Sequence, residues 1–87
     1  IEGGLIFGVA ATLGAATGYA RNLPTANDLG DLQLPRLAGA PDITVELIAS
    51  DEAPGGVSEL AVPVVAPALA NALASATGRR FRSLPLA

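Results

Sequence analysis

An α+β fold, formed as a fragment of a larger domain, is predicted by three features of this sequence. Leu5, Phe7, Val9, Ala10 and Leu13 fit one helix, and residues 43–49 alternate as a strand does. Val65, Leu69, Leu73 and Ala76 then repeat at helical spacing.

The first helix is expected over about residues 2–13, where Gly3, Gly4 and Gly8 leave room for another backbone to come close. Residues 14–30 are rich in Gly, Ala, Thr and Asn and contain Pro24, so an irregular hairpin or loop is expected there, with a weak strand around Gly18-Tyr19-Ala20-Arg21. Pro35 makes residues 32–37 read as extended chain, because the residue before a proline is pushed out of the helical region. In Ile43-Thr44-Val45-Glu46-Leu47-Ile48-Ala49, the side chains of Ile43, Val45 and Leu47 share one face and those of Thr44, Glu46 and Ile48 the other, which predicts a strand over about 43–49. A turn follows through residues 50–56. Pro63 and Pro67 suit the approach or first turn of a helix, where a missing backbone donor costs little. The second helix is therefore expected over about 65–77, with Gly78 as its stop and Arg79, Arg80 and Arg82 near the negative end of its dipole. The tail lacks periodicity, and no internal repeat is present.

At 87 residues the chain has room for one small core and no second domain, and a chain of this size buries only about 60–65% of its unfolded surface. Alanine dominates the apolar residues, the aromatics are Phe7, Tyr19 and Phe81, and there is no cysteine to cross-link the chain. Independent stability is expected to be marginal, and the chain reads as a piece of a larger protein. Five arginines against eight acids give a net charge of −3, and without a basic surface no nucleic-acid partner is expected. Neither Cys nor His is present, so this segment supplies no zinc or iron–sulfur ligand and no Ser-His or Cys-His nucleophile; its expected metal ligands are none. The composition fits a cytoplasmic or a periplasmic location equally.

Two uncharged stretches, 3–20 and 60–78, approach membrane-spanning length, and Gly4/Gly8 and Gly14/Gly18 match a small-xxx-small pattern. Their Gly, Ala, Thr, Asn and Pro content makes them far less apolar than a Leu/Ile/Val span, so membrane insertion is not expected; a small membrane-associated peptide is a second alternative to the main reading. The Gly3-Gly4 and Gly55-Gly56 pairs suit an anion cradle, although plain turn glycines explain them more simply without a P-loop lysine. Glu59 follows the turn segment Pro54-Gly55-Gly56-Val57-Ser58. Its ordinary role is that of a helix-start carboxylate behind a Ser58 N-cap, stabilising by about 0.3–1 kcal/mol. The alternative is catalysis from a glycine-rich loop tip. Asp51 and Glu52 read as a solvated turn, and the arginine cluster as helix-end charge or a contact to a neighbouring part.

The order Glu2-Gly3-Gly4-Leu5-Ile6-Phe7-Gly8, Leu34-Pro35-Arg36-Leu37, Pro41-Asp42-Ile43, Ala53 to Glu59 and Val62 to Ala72 resembles the C-terminal end of the molybdopterin-binding large subunit in the xanthine oxidase family. Within it the chain looks most like the isoquinoline 1-oxidoreductase and bacterial aldehyde dehydrogenase branch. The most specific piece is the Gly-Gly-Val-x-Glu loop joined to the proline-rich Ala-Pro-Ala-Leu-Ala-Asn helix, and the closing Arg-x-Arg-x-Leu-Pro also matches.

This resemblance implies oxidation of an aldehyde or N-heterocycle with water-derived oxygen at a molybdenum pyranopterin (molybdopterin) cofactor. Glu59 stands at the family's general base. Gly55, Gly56, Val57 and Ser58 would form the close-approach loop beside the cofactor, and Glu2, Gly3 and Gly4 the start of a helix near it. The implied partners are the remainder of the large subunit and an electron-transfer subunit or domain carrying iron–sulfur clusters. Residues 1–87 would be one fragment of the molybdopterin-binding domain, inactive in isolation. Two positions depart from the pattern: Ser58 replaces a glycine and Leu60 a proline. Residues 14–32 also lack the aromatic and acidic texture common in the family. A non-catalytic structural or interaction remnant of the same family is the first alternative.

Overall fold

A computed structural model describes residues 1–86 of the chain. Among them, the elements are helix α1 (Glu2–Leu13), a ribbon of β1 (Tyr19–Ala20) and β2 (Leu23–Pro24), 3-10 turns at Leu29–Leu32 and Leu37–Gly39, and helix α2 (Val62–Thr77). The α+β class holds, and α1 occupies the span that its pattern predicts.

The two helices form the core by packing small residues against each other. Gly4, Gly8 and Thr12 recur every four residues and so share one face of α1. A Cβ built on Gly8 would meet Val65 Cγ2 at 2.6 Å and the Val62 carbonyl oxygen at 3.0 Å, so only glycine fits this crossing. Gly4 lies nearby against Ala61 and the Ser58 carbonyl, whereas a Cβ on Gly3 would meet nothing within 4 Å. Thr12 is 1% exposed and donates its hydroxyl to the Gly8 carbonyl at 2.6 Å, which satisfies the polar group that burial would otherwise penalise. Leu86 donates its amide to the Thr12 carbonyl at 2.8 Å and is itself buried, so the unpatterned tail completes the core. Buried apolar side chains are few: Ala61, Val65 and Leu86.

α2 begins at Val62 rather than near residue 65, with Ala61 at its N-cap and Pro63 in the first turn, where a missing donor is tolerated. Pro67 lies inside the helix. The helix ends at Gly78 in the left-handed conformation (φ 74), with its amide donated to the Ala74 carbonyl at 2.8 Å. Replacing Gly78 by Ala is expected to cost about 1–2 kcal/mol, read as faster amide exchange over the last turn of α2. Two of the arginines that follow have local partners. Arg80 Nη1 donates to Asn71 Oδ1 at 2.6 Å, and Arg79 lies 5.3 Å from the centre of the Phe81 ring.

The expected irregular hairpin is the β1–β2 ribbon, paired antiparallel in the register Tyr19↔Pro24 and Ala20↔Leu23. Arg21 and Asn22 both take positive φ, as a two-residue hairpin turn requires. The expected extended stretch survives only at 34–36, between the two 3-10 turns.

The strand expected at 43–49 is not formed. Those residues carry no regular structure, and no backbone–backbone hydrogen bond outside the helices and the ribbon involves residues 41–56 among those described. Alternation prepares two faces but supplies no pairing partner, and the described chain offers no strand beside this one.

With so small a core, the molecule is extended. Its accessible surface is 7132 Å² for a mass of 8.6 kDa, against about 4,700 Å² for a compact protein of that size. The radius of gyration is 15.9 Å, against about 12 Å for a compact chain of this length.

Candidate functional site

The α1–α2 crossing positions the candidate site. Because Gly4 packs against Ala61 and the Ser58 carbonyl, the first turn of α1 lies beside the loop that precedes α2. A tight turn over residues 58–60, with Leu60 donating its amide to the Val57 carbonyl at 3.3 Å, carries Glu59.

Glu59 borders two depressions. One, of about 240 Å³, is lined by Gly3, Gly4, Phe7, Ser58, Glu59 and Val62, and the other, of about 320 Å³, by Gly56, Ser58, Glu59 and Leu60. Gly3, Gly4, Gly56, Ser58 and Glu59, drawn from two segments far apart in sequence, therefore converge. Glu2, Gly55 and Val57 flank this group without lining either depression. Sequence reasoning missed Phe7 and Val62, which line the first depression. Phe7 follows Gly3 and Gly4 by one helical turn, and that spacing was the signal available for it.

The local geometry bears on the helix-start role weighed for Glu59. The residue that caps α2 is Ala61, which makes no side-chain cap bond, so Ser58 is not the N-cap and Glu59 lies outside the first helical turn. Glu59 is exposed, and among the described residues its carboxylate has no hydrogen-bond or ion-pair partner. The carboxylate thus stands on a turn at the edge of both depressions, with no structural partner among the described residues.

The glycines of the loop are open. A Cβ on Gly55 or Gly56 would meet nothing within 4 Å, and neither glycine has a positive φ. No demand of this fold requires glycine there. No group of His, Cys, Asp and Glu among the described residues could hold a metal ion, and no described helix is long and apolar enough to cross a membrane.

No family model and no solved structure matches the chain. Two curated proteins do. The chain is 35% identical over 86 residues to "Isoquinoline 1-oxidoreductase subunit beta" of Brevundimonas diminuta, covering 99% of this chain and 11% of that protein. It is 32% identical over 85 residues to "Membrane-bound aldehyde dehydrogenase [pyrroloquinoline-quinone]" of Gluconacetobacter polyoxogenes, covering 98% of this chain and 11% of that protein. The chain thus spans 11% of the length of the curated relatives it matches.

Proposed function

We propose that this chain forms one wall of the active site in a molybdenum hydroxylase large subunit of the xanthine oxidase family, with Glu59 as general base. The observation that carries this reading is the convergence of Glu59 with Gly3 and Gly4 around one depression. These are the two segments that the resemblance assigns to the cofactor's surroundings. Similarity over nearly the whole chain to an isoquinoline oxidoreductase subunit and an aldehyde dehydrogenase supports the same class of chemistry.

The residues fit one side of a pyranopterin site. Gly55 and Gly56 leave space that a side chain would fill, and their unhindered backbone permits close approach. The chain offers no metal-holding cluster among its described residues, so molybdenum would be held by groups outside it. Bound there, the cofactor would supply the acceptor for the two electrons removed from the substrate, with iron–sulfur clusters on a partner subunit or domain as the onward acceptors. The Glu59 carboxylate accepts the proton of the water-derived nucleophile as its oxygen adds to the electron-poor carbon of an aldehyde or N-heterocycle. Gly3 and Gly4 keep the facing wall low, and Phe7 and Val62 supply its apolar part.

The test is turnover of the assembled protein carrying Glu59→Gln. Loss of turnover supports the general base, and an unchanged rate supports the non-catalytic remnant. Gly56→Ala gives a second readout. No neighbour lies within reach of the added methyl, so folding is expected to stay unchanged while turnover falls by up to about 10²-fold through a displaced cofactor or substrate. Equal turnover in wild type and Gly56→Ala would leave the open loop without a ligand.

The name of the second relative points to another cofactor, pyrroloquinoline quinone. Elemental analysis separates the two readings. Molybdenum is expected in the purified assembly, and a quinone chromophore without molybdenum would replace the pyranopterin while leaving the Glu59 test intact.

A further inference from the structure

The unpaired segment at 43–49 is the largest mismatch between sequence pattern and fold. Every residue from Thr44 to Leu60 is exposed, and Leu47 and Ile48 are 81% and 93% exposed. Only Ile43 is half-buried, where it borders an apolar groove of about 410 Å³ with Leu5, Val9, Val65 and Leu69 of the two helices. The Ile43/Val45/Leu47 face therefore begins against the helix pair, while its backbone groups have no partner among the described residues.

We propose that residues 43–49 are an edge strand whose partner is a β-strand of the larger oxidoreductase body to which this chain belongs, with α1 and α2 packed on one face of the joint sheet. The proposal rests on the functional reading only for the existence of that body.

Three observations select this occupant. First, an apolar helix lying in the groove would cover Ile43 but leave a row of amides and carbonyls unpaired. A strand satisfies the backbone and, through its alternation, the side chains as well. Second, the accessible surface of 7132 Å² exceeds the compact expectation by about 2,400 Å². A standard protein–protein interface buries about 800 Å² per partner. The exposed apolar residues Phe7, Leu29, Leu37, Leu47, Ile48 and Leu60 are spread along the chain, whereas a two-fold dimer covers one self-complementary patch. A surrounding body accounts for them better than a second copy does. Third, the curated relatives match along almost all of this chain with 11% of their own length, so the corresponding segment in each belongs to a much larger protein.

Hydrogen–deuterium exchange tests the pairing without reference to activity, and so separately from the role of Glu59. In the native assembly, amides of residues 43–49 are expected to be protected in an alternating pattern, because an edge strand paired on one side donates every second N–H. In the isolated 87-residue chain the same amides are expected to exchange freely. Proline substitution supplies a second readout: of Thr44→Pro and Val45→Pro, one is expected to abolish protection across the segment and the other to leave most of it, since only one of the two amides faces the partner. Free exchange in the native assembly would overturn the proposal. Protection in the isolated chain at monomer mass would overturn it too, and protection with dimer mass would assign the edge to a second copy instead.

Discussion

Glu59→Gln in the assembled protein is expected to lower turnover by about 10²–10⁴-fold, the range over which a positioned general base accelerates proton transfer. Glutamine keeps the size of the side chain and removes the basic oxygen. The structure makes the comparison clean, because Glu59 is exposed and its carboxylate has no hydrogen-bond or ion-pair partner among the described residues. Thermal stability and cofactor content are therefore expected to match wild type. If turnover falls together with cofactor content, Glu59 holds the site in shape rather than moving a proton. If neither changes, the non-catalytic alternative replaces the general-base reading. Asp51→Asn is the matched control. It removes a carboxylate from the same exposed stretch but lies outside both depressions, and it should leave turnover unchanged.

How far this site can be read from sequence depends on which residues are considered. Helix α1 was legible because apolar residues and glycines along 2–13 leave few other options. α2 starts three residues before the expected position because Pro63 and Pro67 suit either the approach or the first turn of a helix, and Pro63 stands at the second helical position, where it removes a donor that has no partner there anyway. Local grammar also made Ser58 the cap of that helix. The fold places Ala61 there instead, which frees the Ser58–Leu60 turn to carry Glu59 out towards Gly3 and Gly4. Nothing local in the sequence brings residues 3–4 to residues 58–59; only the resemblance to whole subunits paired those segments. Neither the hydroxyl of Thr12 nor Leu86, in a tail without periodicity, reads as a core position, yet the two residues meet through one backbone hydrogen bond in the core. The strand at 43–49 shows the converse case, a clear pattern with no partner among the described residues. Pattern specifies which face a segment buries, and pairing depends on what else the chain belongs to.

The same geometry makes Gly8 the position where a single methyl group should do the most structural damage. Gly8→Ala places its Cβ 2.6 Å from Val65 Cγ2, 2.8 Å from Val65 Cβ and 3.0 Å from the Val62 carbonyl oxygen. Alanine is the better helix former by about 1 kcal/mol, but overpacking of this kind costs about 1–3 kcal/mol. Two of the three opposing atoms belong to the backbone carbonyl or to a Cβ, which no rotamer change can move. Steric cost is therefore expected to win, lowering stability by up to about 2 kcal/mol net, measured as a reduced thermal midpoint. Gly3→Ala supplies the contrast on the same helix: with nothing within 4 Å of the added methyl, it is expected to raise stability by up to about 1 kcal/mol. Val65→Ala should rescue Gly8→Ala only in part, because it removes the Cγ2 contact but keeps the Cβ contact, and the pair should be visibly non-additive. The consequence reaches the site. Gly4, one turn before Gly8, faces Ser58 and Ala61, so helices forced apart at Gly8 carry Gly3 and Gly4 away from Glu59. Gly8→Ala should thus lose turnover as well as stability, and a variant that melts early but turns over at the wild-type rate would disconnect the helix crossing from the chemistry.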